Sequence, residues 1–158
     1  MKISLLCIGK LSAGWLQEGA GDYQKRLQRY LPIGIEELKE HKAGGKKADT
    51  RKIIQQEGSH LLARVPRGAY TVALDEQGEL FSSEDLAGFI DRHMVDGTPE
   101  ITFIIGGAYG LSDDVKQAAR VKMSLTPMTL THQMARVLLL EQLYRGMTIL
   151  RNEPYHNR

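Results

Sequence analysis

Cysteine is almost absent from this chain: Cys7 is the only one among 158 residues. Disulfides within the chain and cysteine-based metal sites are therefore excluded, and its position inside the apolar run 3–8 assigns Cys7 to the core. Long hydrophobic runs are missing as well. None approaches the length of a membrane span, and the run 3–8 is too short for a signal peptide and lacks a small-residue cleavage site, so a cytoplasmic protein is expected. Charge of one sign is scarce, with a formal net charge of +2 and an isoelectric point near 8.7. This balance permits a nucleic-acid partner without requiring one. The pyrophosphate fingerprint G-x-G-x-x-G is also lacking. A lone Gly9 followed by Lys10 stands after the first apolar run, which argues against a nicotinamide-dependent oxidoreductase.

What remains is the composition of one globular domain, residues 1–158, with 42% hydrophobic residues to build a core. Runs 3–8, 33–38, 70–74, 101–105 and 123–125 read as strands, and segments 15–31, 48–65, 82–95, 112–120 and 132–150 as helices. Strands separated by crossover helices imply an α/β fold, a mainly parallel sheet of about five strands with flanking helices. In the first helix Trp15, Leu16, Tyr23, Leu27, Tyr30 and Leu31 form the apolar face. The last helix differs. Ala135, Val137, Leu138, Leu139, Leu140, Leu143, Tyr144, Met147 and Ile149 spread around most of its circumference, more than one small chain can cover, so a homodimer is expected. Pro154 reads as the end of that helix, leaving a short tail.

Run 101–105 is apolar at every position but Thr102, as in a central strand buried on both faces. It breaks into Gly106-Gly107-Ala108-Tyr109-Gly110, and Ser112 then offers a good N-cap before Asp113 and Asp114. Ligands of parallel sheets lie beyond the carboxyl ends of the strands, so this turn is the first candidate site. Two carboxylates in the first helical turn complement the helix dipole and would repel a pyrophosphate, which points to a neutral or cationic ligand. The same residues also make a tight, well-capped turn with no ligand at all.

Four landmarks stand in order: Val72-Ala73-Leu74-Asp75, the turn from Gly106 to Leu111, the segment from Leu125 to His132 leading into Arg136-Val137-Leu138 and Glu141-Gln142-Leu143-Tyr144-Arg145, and the terminal Pro154-Tyr155-His156. Together they resemble the RlmH family of SPOUT-class (α/β-knot) methyltransferases over essentially the whole chain. Thr131 and Ala108 depart from the family pattern, in which proline is common at both places; these positions shape loops. The resemblance implies a C-terminal trefoil knot and S-adenosyl-L-methionine as cofactor. It further implies methylation of N3 of a pseudouridine in 23S large-subunit rRNA, on the assembled ribosome. Three loops would form the cofactor pocket, one following Leu74, one containing Gly106 and one made of Leu125, Thr126, Pro127, Met128, Thr129 and Leu130.

Because the methyl donor is already activated, no metal is expected; the protein must align the base and remove a proton. Tyr155 and His156 are the candidate catalytic residues, with Arg145 offsetting negative charge on the base. The tail is expected to serve the partner's pocket. Glu141 and Arg145, four apart, also read as an ion pair of small value. His132 reads as a cap or loop anchor, and His41, His60 and His93 as surface residues. The densest basic stretch, 41–47 followed by Arg51 and Lys52, is either a phosphate-contacting or a solvated loop. A noncatalytic RNA-binding module would use that stretch but leave the glycine turn and the terminal Tyr155-His156 unexplained.

Overall fold

The alternation of side chains along the first strand sets the layering. Ile3, Leu5 and Cys7 belong to one apolar cluster, and Leu6 and Ile8 to a second on the opposite face. The structure, a computed structural model, describes residues 1–41 and 49–157. Strands β1 (Lys2–Ile8), β2 (Ile33–Leu38), β3 (Tyr70–Leu80), β4 (Glu100–Ile105) and β5 (Val121–Ser124) form one sheet in the order β2-β1-β4-β3-β5. Every pairing is parallel. Helices α1 (Gly14–Leu27), α3 (Ser83–Val95) and α5 (His132–Leu150) bury the first cluster, while α2 (Thr50–Arg64) and α4 (Asp113–Ala118) bury the second.

Helix α5 lies between α1 and α3, with Leu139, Leu140, Leu143 and Met147 fully buried. Its own chain thus supplies much of the cover that the sequence reading assigned to a second copy; Leu138 and Ile149 stay half-buried. Thr131, not His132, caps this helix by accepting from the Met134 N–H at 3.2 Å. Its end is not set by Pro154. Asn152 turns left-handed with φ 55°, and the Asn152 and Glu153 N–H groups donate back to the Ile149 and Thr148 carbonyls, a Schellman closure.

Other boundaries also move. Helix α1 stops at Leu27 rather than 31, because the Tyr30 N–H bonds the Leu27 carbonyl in a tighter turn. Strand β3 continues to Leu80, well past residue 74. Of the histidines read as surface, His93 packs against Tyr70 and Phe89 at ring distances of 4.2 and 4.6 Å and bonds Thr98, and His41 is half-buried. Most of the basic stretch, residues 42–47, lies outside the described residues.

Candidate functional site

The carboxyl ends of β3 and β4, together with the segment after β5, open onto a cleft of about 880 Å³. Its first wall is a break in β3. Leu74 and Glu79 both pair with Met123, so residues 75–78 are thrown out of the ladder. Gly78 permits the excursion, since a Cβ there would lie 2.6 Å from the Lys122 carbonyl carbon. Asp75 and Glu76 thereby reach the cleft, with Asp75 Oδ2 paired to Lys116 Nζ at 2.9 Å and Oδ1 accepting from the Gln77 N–H. Burial opposes the charge on Asp75. Hydrogen bonds from Lys116 and the Gln77 N–H, with the charges of Lys116 and Lys122, outweigh it and hold the carboxyl below its ordinary range.

The glycine turn is the second wall. The Gly110 N–H donates to the Gly107 carbonyl at 3.1 Å, and Gly110 has φ +83°, where other residues are strained. A Cβ at Gly106 would stand 2.6 Å from the carbonyl of Gly110, so the turn's own backbone requires this glycine. Ser112 caps α4 through the Val115 N–H. Asp113 and Asp114 are exposed and do not line the cleft; among the described residues its carboxylates are Asp75 and Glu76.

Loop 125–131 closes the third side. Thr126 Oγ1 accepts from the Met128 N–H at 3.2 Å, and Thr129 Oγ1 donates to Glu76 Oε2 at 3.3 Å, tying this loop to the first wall. Leu74, Gly106, Leu125, Thr126, Met128, Thr129 and Leu130 all line the cleft, whereas Pro127 does not. The first turn of α5, from His132 to Ala135, also lines the cleft, and Arg136 follows it. Arg136, 1% exposed, donates from Nη2 to the Gly9 carbonyl at 2.8 Å and from Nη1 to Glu37 Oε1 at 2.5 Å.

The tail gathers at the far end of α5. Tyr155 packs edge-on against Tyr144, its hydroxyl 3.1 Å from Glu141 Oε1 and 3.3 Å from the Tyr23 hydroxyl. Arg145 pairs with Glu141, lies over the Tyr155 ring at 4.8 Å, and places Nη1 3.4 Å from His156 Nδ1. A guanidinium can only donate, so Nδ1 accepts and Nε2 carries the proton toward Glu84 Oε1 at 3.2 Å. Arg145, Tyr155 and His156 thus form one cluster. None of the three lines the cleft of its own chain.

A family profile described as "Predicted SPOUT methyltransferase" matches residues 1–156. The chain is 62% identical over 158 residues to "Ribosomal RNA large subunit methyltransferase H" of Syntrophotalea carbinolica, covering all of both chains. To the protein of the same name from Geotalea uraniireducens it is 44% identical, covering 99% of this chain and 100% of that one. The chain belongs to the SPOUT methyltransferase family. A crystal structure from Bordetella pertussis, described as a probable methyltransferase, shares the fold with a TM-score of 0.53 at 13% identity, covering 92% of this chain and 95% of that one.

In this SPOUT methyltransferase the sequence reading missed one wall of the cleft. Ser12, Trp15 and Leu16 line it, and the Ser12 N–H and hydroxyl both reach Gln133 Oε1, at 2.8 and 3.1 Å. Trp15, taken for the inner face of α1, is 65% exposed. Its signal was position, because it stands at the start of the helix reached by the loop that leaves the carboxyl end of β1, where parallel sheets build sites. A second omission is Glu57. It falls on the apolar stripe of α2 between Ile53 and Leu61, four residues from each, and that spacing marks a buried carboxyl.

Proposed function

We propose that this protein transfers a methyl group from S-adenosyl-L-methionine to N3 of a pseudouridine in 23S large-subunit rRNA. It acts on the assembled ribosome, in the cytoplasm, as a homodimer with its C-terminal segment threaded in a trefoil knot. The observation that carries the reading is the convergence of the three loops after Leu74, around Gly106 and across 125–130 on one cleft. Full-length identity with proteins named for large-subunit rRNA methylation supports the substrate.

The cleft suits the donor. Its volume falls within the roughly 300–1,000 Å³ of small-molecule sites. Asp75, Glu76 and Lys116 are its aspartate, glutamate and lysine side chains, a balance that favours a cationic sulfonium. Leu74, Leu125, Met128 and Leu130 give apolar surface for a purine, and the turn 106–110 brings backbone groups to its edge. When bound, the donor supplies a methyl group on a positively charged sulfur. The protein's tasks are to hold the base in line and to relieve N3 of its proton.

Tyr155 and His156 divide those tasks. Burial, then the hydrogen bonds to Tyr23 and Glu141, push the Tyr155 phenol well above its ordinary range, so it remains a proton donor that positions. His156 takes the N3 proton at Nδ1, its accepting nitrogen, as the Nε2 proton passes to Glu84 Oε1, and Arg145, released from Nδ1, offsets negative charge on the base. Arg145 lies ten residues beyond Ala135, the last residue of α5 to line the cleft, and a helix rises 1.5 Å per residue, so about 15 Å separate the two along α5. This distance is the reason to assign the tail to the partner's cleft. Exposed Trp15, Tyr109, Met128 and Met134 around the cleft offer a surface for the second copy.

Incubation with labelled donor and large subunits from cells lacking the enzyme, followed by mass spectrometry, should place one methyl on a pseudouridine N3; no transfer to any rRNA would overturn the function. Mixed dimers of a chain truncated before Pro154 and a Gly106→Val chain should regain activity, since one cleft and one tail stay intact. Mixed dimers that form but remain inactive would overturn the trans arrangement.

A further inference from the structure

Two consecutive residues of α2 press on the loop 106–112 from behind. The carboxyl of Glu57 fills the space left by the missing side chain of Gly107, where a Cβ would lie 2.8 Å from Glu57 Oε2. Next to it, a Cβ on Gly58 would collide with Ser112, whose own Cβ would lie 2.8 Å away. The helix therefore grips the loop at both ends: Glu57 at its start and Gly58 at the residue that caps α4.

Glu57 is costly for a brace. It is 2% exposed on a stripe with Ile53 and Leu61; Oε1 accepts from the His41 N–H at 3.0 Å, while Oε2 is buried with no hydrogen-bond partner among the described residues. Burial pushes its carboxyl up, against the opposing His41 N–H and the charges of His41 and His60, with Glu40 adding to the rise. An apolar side chain of the same volume would make α2 pack more cheaply. Buried polar groups left unpaired call for an explanation, and here the group touches the turn that lines the cleft.

We propose that Glu57 is a positioning residue that holds the turn 106–110 in the shape that receives the methyl donor. The proposal rests on assigning that turn to the donor pocket. Glu57 does not touch the cleft itself; it acts through Gly107, with the His41 N–H fixing the carboxyl in place.

Calorimetric titration with S-adenosyl-L-methionine, alongside steady-state kinetics, tests it in wild type, Glu57→Gln, Glu57→Ala and the control Leu61→Ala. Glu57→Ala should weaken donor binding about tenfold, the scale of one lost polar contact with its orphaned partner. It should raise KM for the donor to match, leave KM for RNA unchanged, and speed amide exchange in 106–112 before the rest of the chain. Glu57→Gln keeps volume and acceptor and should stay within about threefold of wild type. Leu61→Ala should lower the melting temperature without changing donor affinity. If Glu57→Ala fails to fold, Glu57→Asp, with the carboxyl withdrawn, should show the same direction. Wild-type affinity in folded Glu57→Ala (or Asp) would overturn the inference, as would equal losses in Gln and Ala or in Leu61→Ala. Failure of wild type to bind the donor would instead overturn the pocket assignment.

Discussion

Replacing Arg136 by alanine tests whether the base of the cleft depends on one guanidinium. The side chain joins the start of α5 to the ends of β1 and β2 through the Gly9 carbonyl and Glu37. Removing it orphans the buried Gly9 carbonyl, a loss of roughly 1–3 kcal/mol. Glu37 is 34% exposed and rehydrates, so the broken ion pair contributes only about 0–1 kcal/mol. Lost packing of the long stem brings the total to about 3–4 kcal/mol. For a chain of this length each kcal/mol moves the melting temperature by roughly 2–4 °C, so a drop of about 10 °C is expected. Arg136→Lys should fall between, because one ammonium cannot fork to both acceptors. Arg136→Met, which keeps the stem, should lose less than alanine. Thermal melts at matched protein concentration give the answer. A drop under about 2 °C for Arg136→Ala would refute the reasoning.

Gly110→Ala should cost about 1–2 kcal/mol in urea denaturation through its positive φ alone, since nothing lies within 4 Å of the added Cβ; an unchanged midpoint would show that the turn relaxes. His132 is held below its ordinary pKa by burial, with Arg136 reinforcing and Glu40 opposing. Its contribution to stability is therefore fully present above the unfolded pKa of about 6.5 and is lost as pH falls through the lower folded value, so melting temperature should fall less steeply in acid for His132→Gln than for wild type. Tyr155→Phe keeps the ring against Tyr144 and Arg145 but loses the hydroxyl that meets Glu141 and Tyr23. Turnover should fall about tenfold with melting temperature nearly unchanged, and a variant of equal turnover would remove the hydroxyl from the mechanism.

Legibility followed how local the signal was. The run 101–105 announces a central strand because both faces need apolar residues, and Ser112 announces a helix start because a cap needs only its own neighbours. Strand order is different. Nothing local tells β4 to enter between β1 and β3, since that choice is made by partners far apart in sequence. Strand β3 looked finished at Leu74 because Asp75, Glu76, Gln77 and Gly78 are polar, yet pairing resumes at Glu79 and Leu80 once Gly78 meets Lys122 closely. The turn after 101–105 was legible from its own residues, and the other two cleft loops by resemblance. Trp15 was not, since a helical wheel credits every apolar residue to the core.

The sheet order also governs when the chain can fold. β1 is synthesised first, yet its neighbour β4 must wait for Glu100 to pair with Lys2, and the Arg136 bond to the Gly9 carbonyl spans 127 residues. Closing such long loops precedes any reward from the contacts, which slows folding. At roughly 5–20 residues per second, the apolar face of Ile3 and Leu5 waits roughly 7–30 s of translation for α5 to cover it. A nascent chain stopped before α5 is therefore a sheet with a half-open oily face, a gap left between α1 and α3, rather than a smaller stable protein, and the burial of the first strand is completed only by the helix made last.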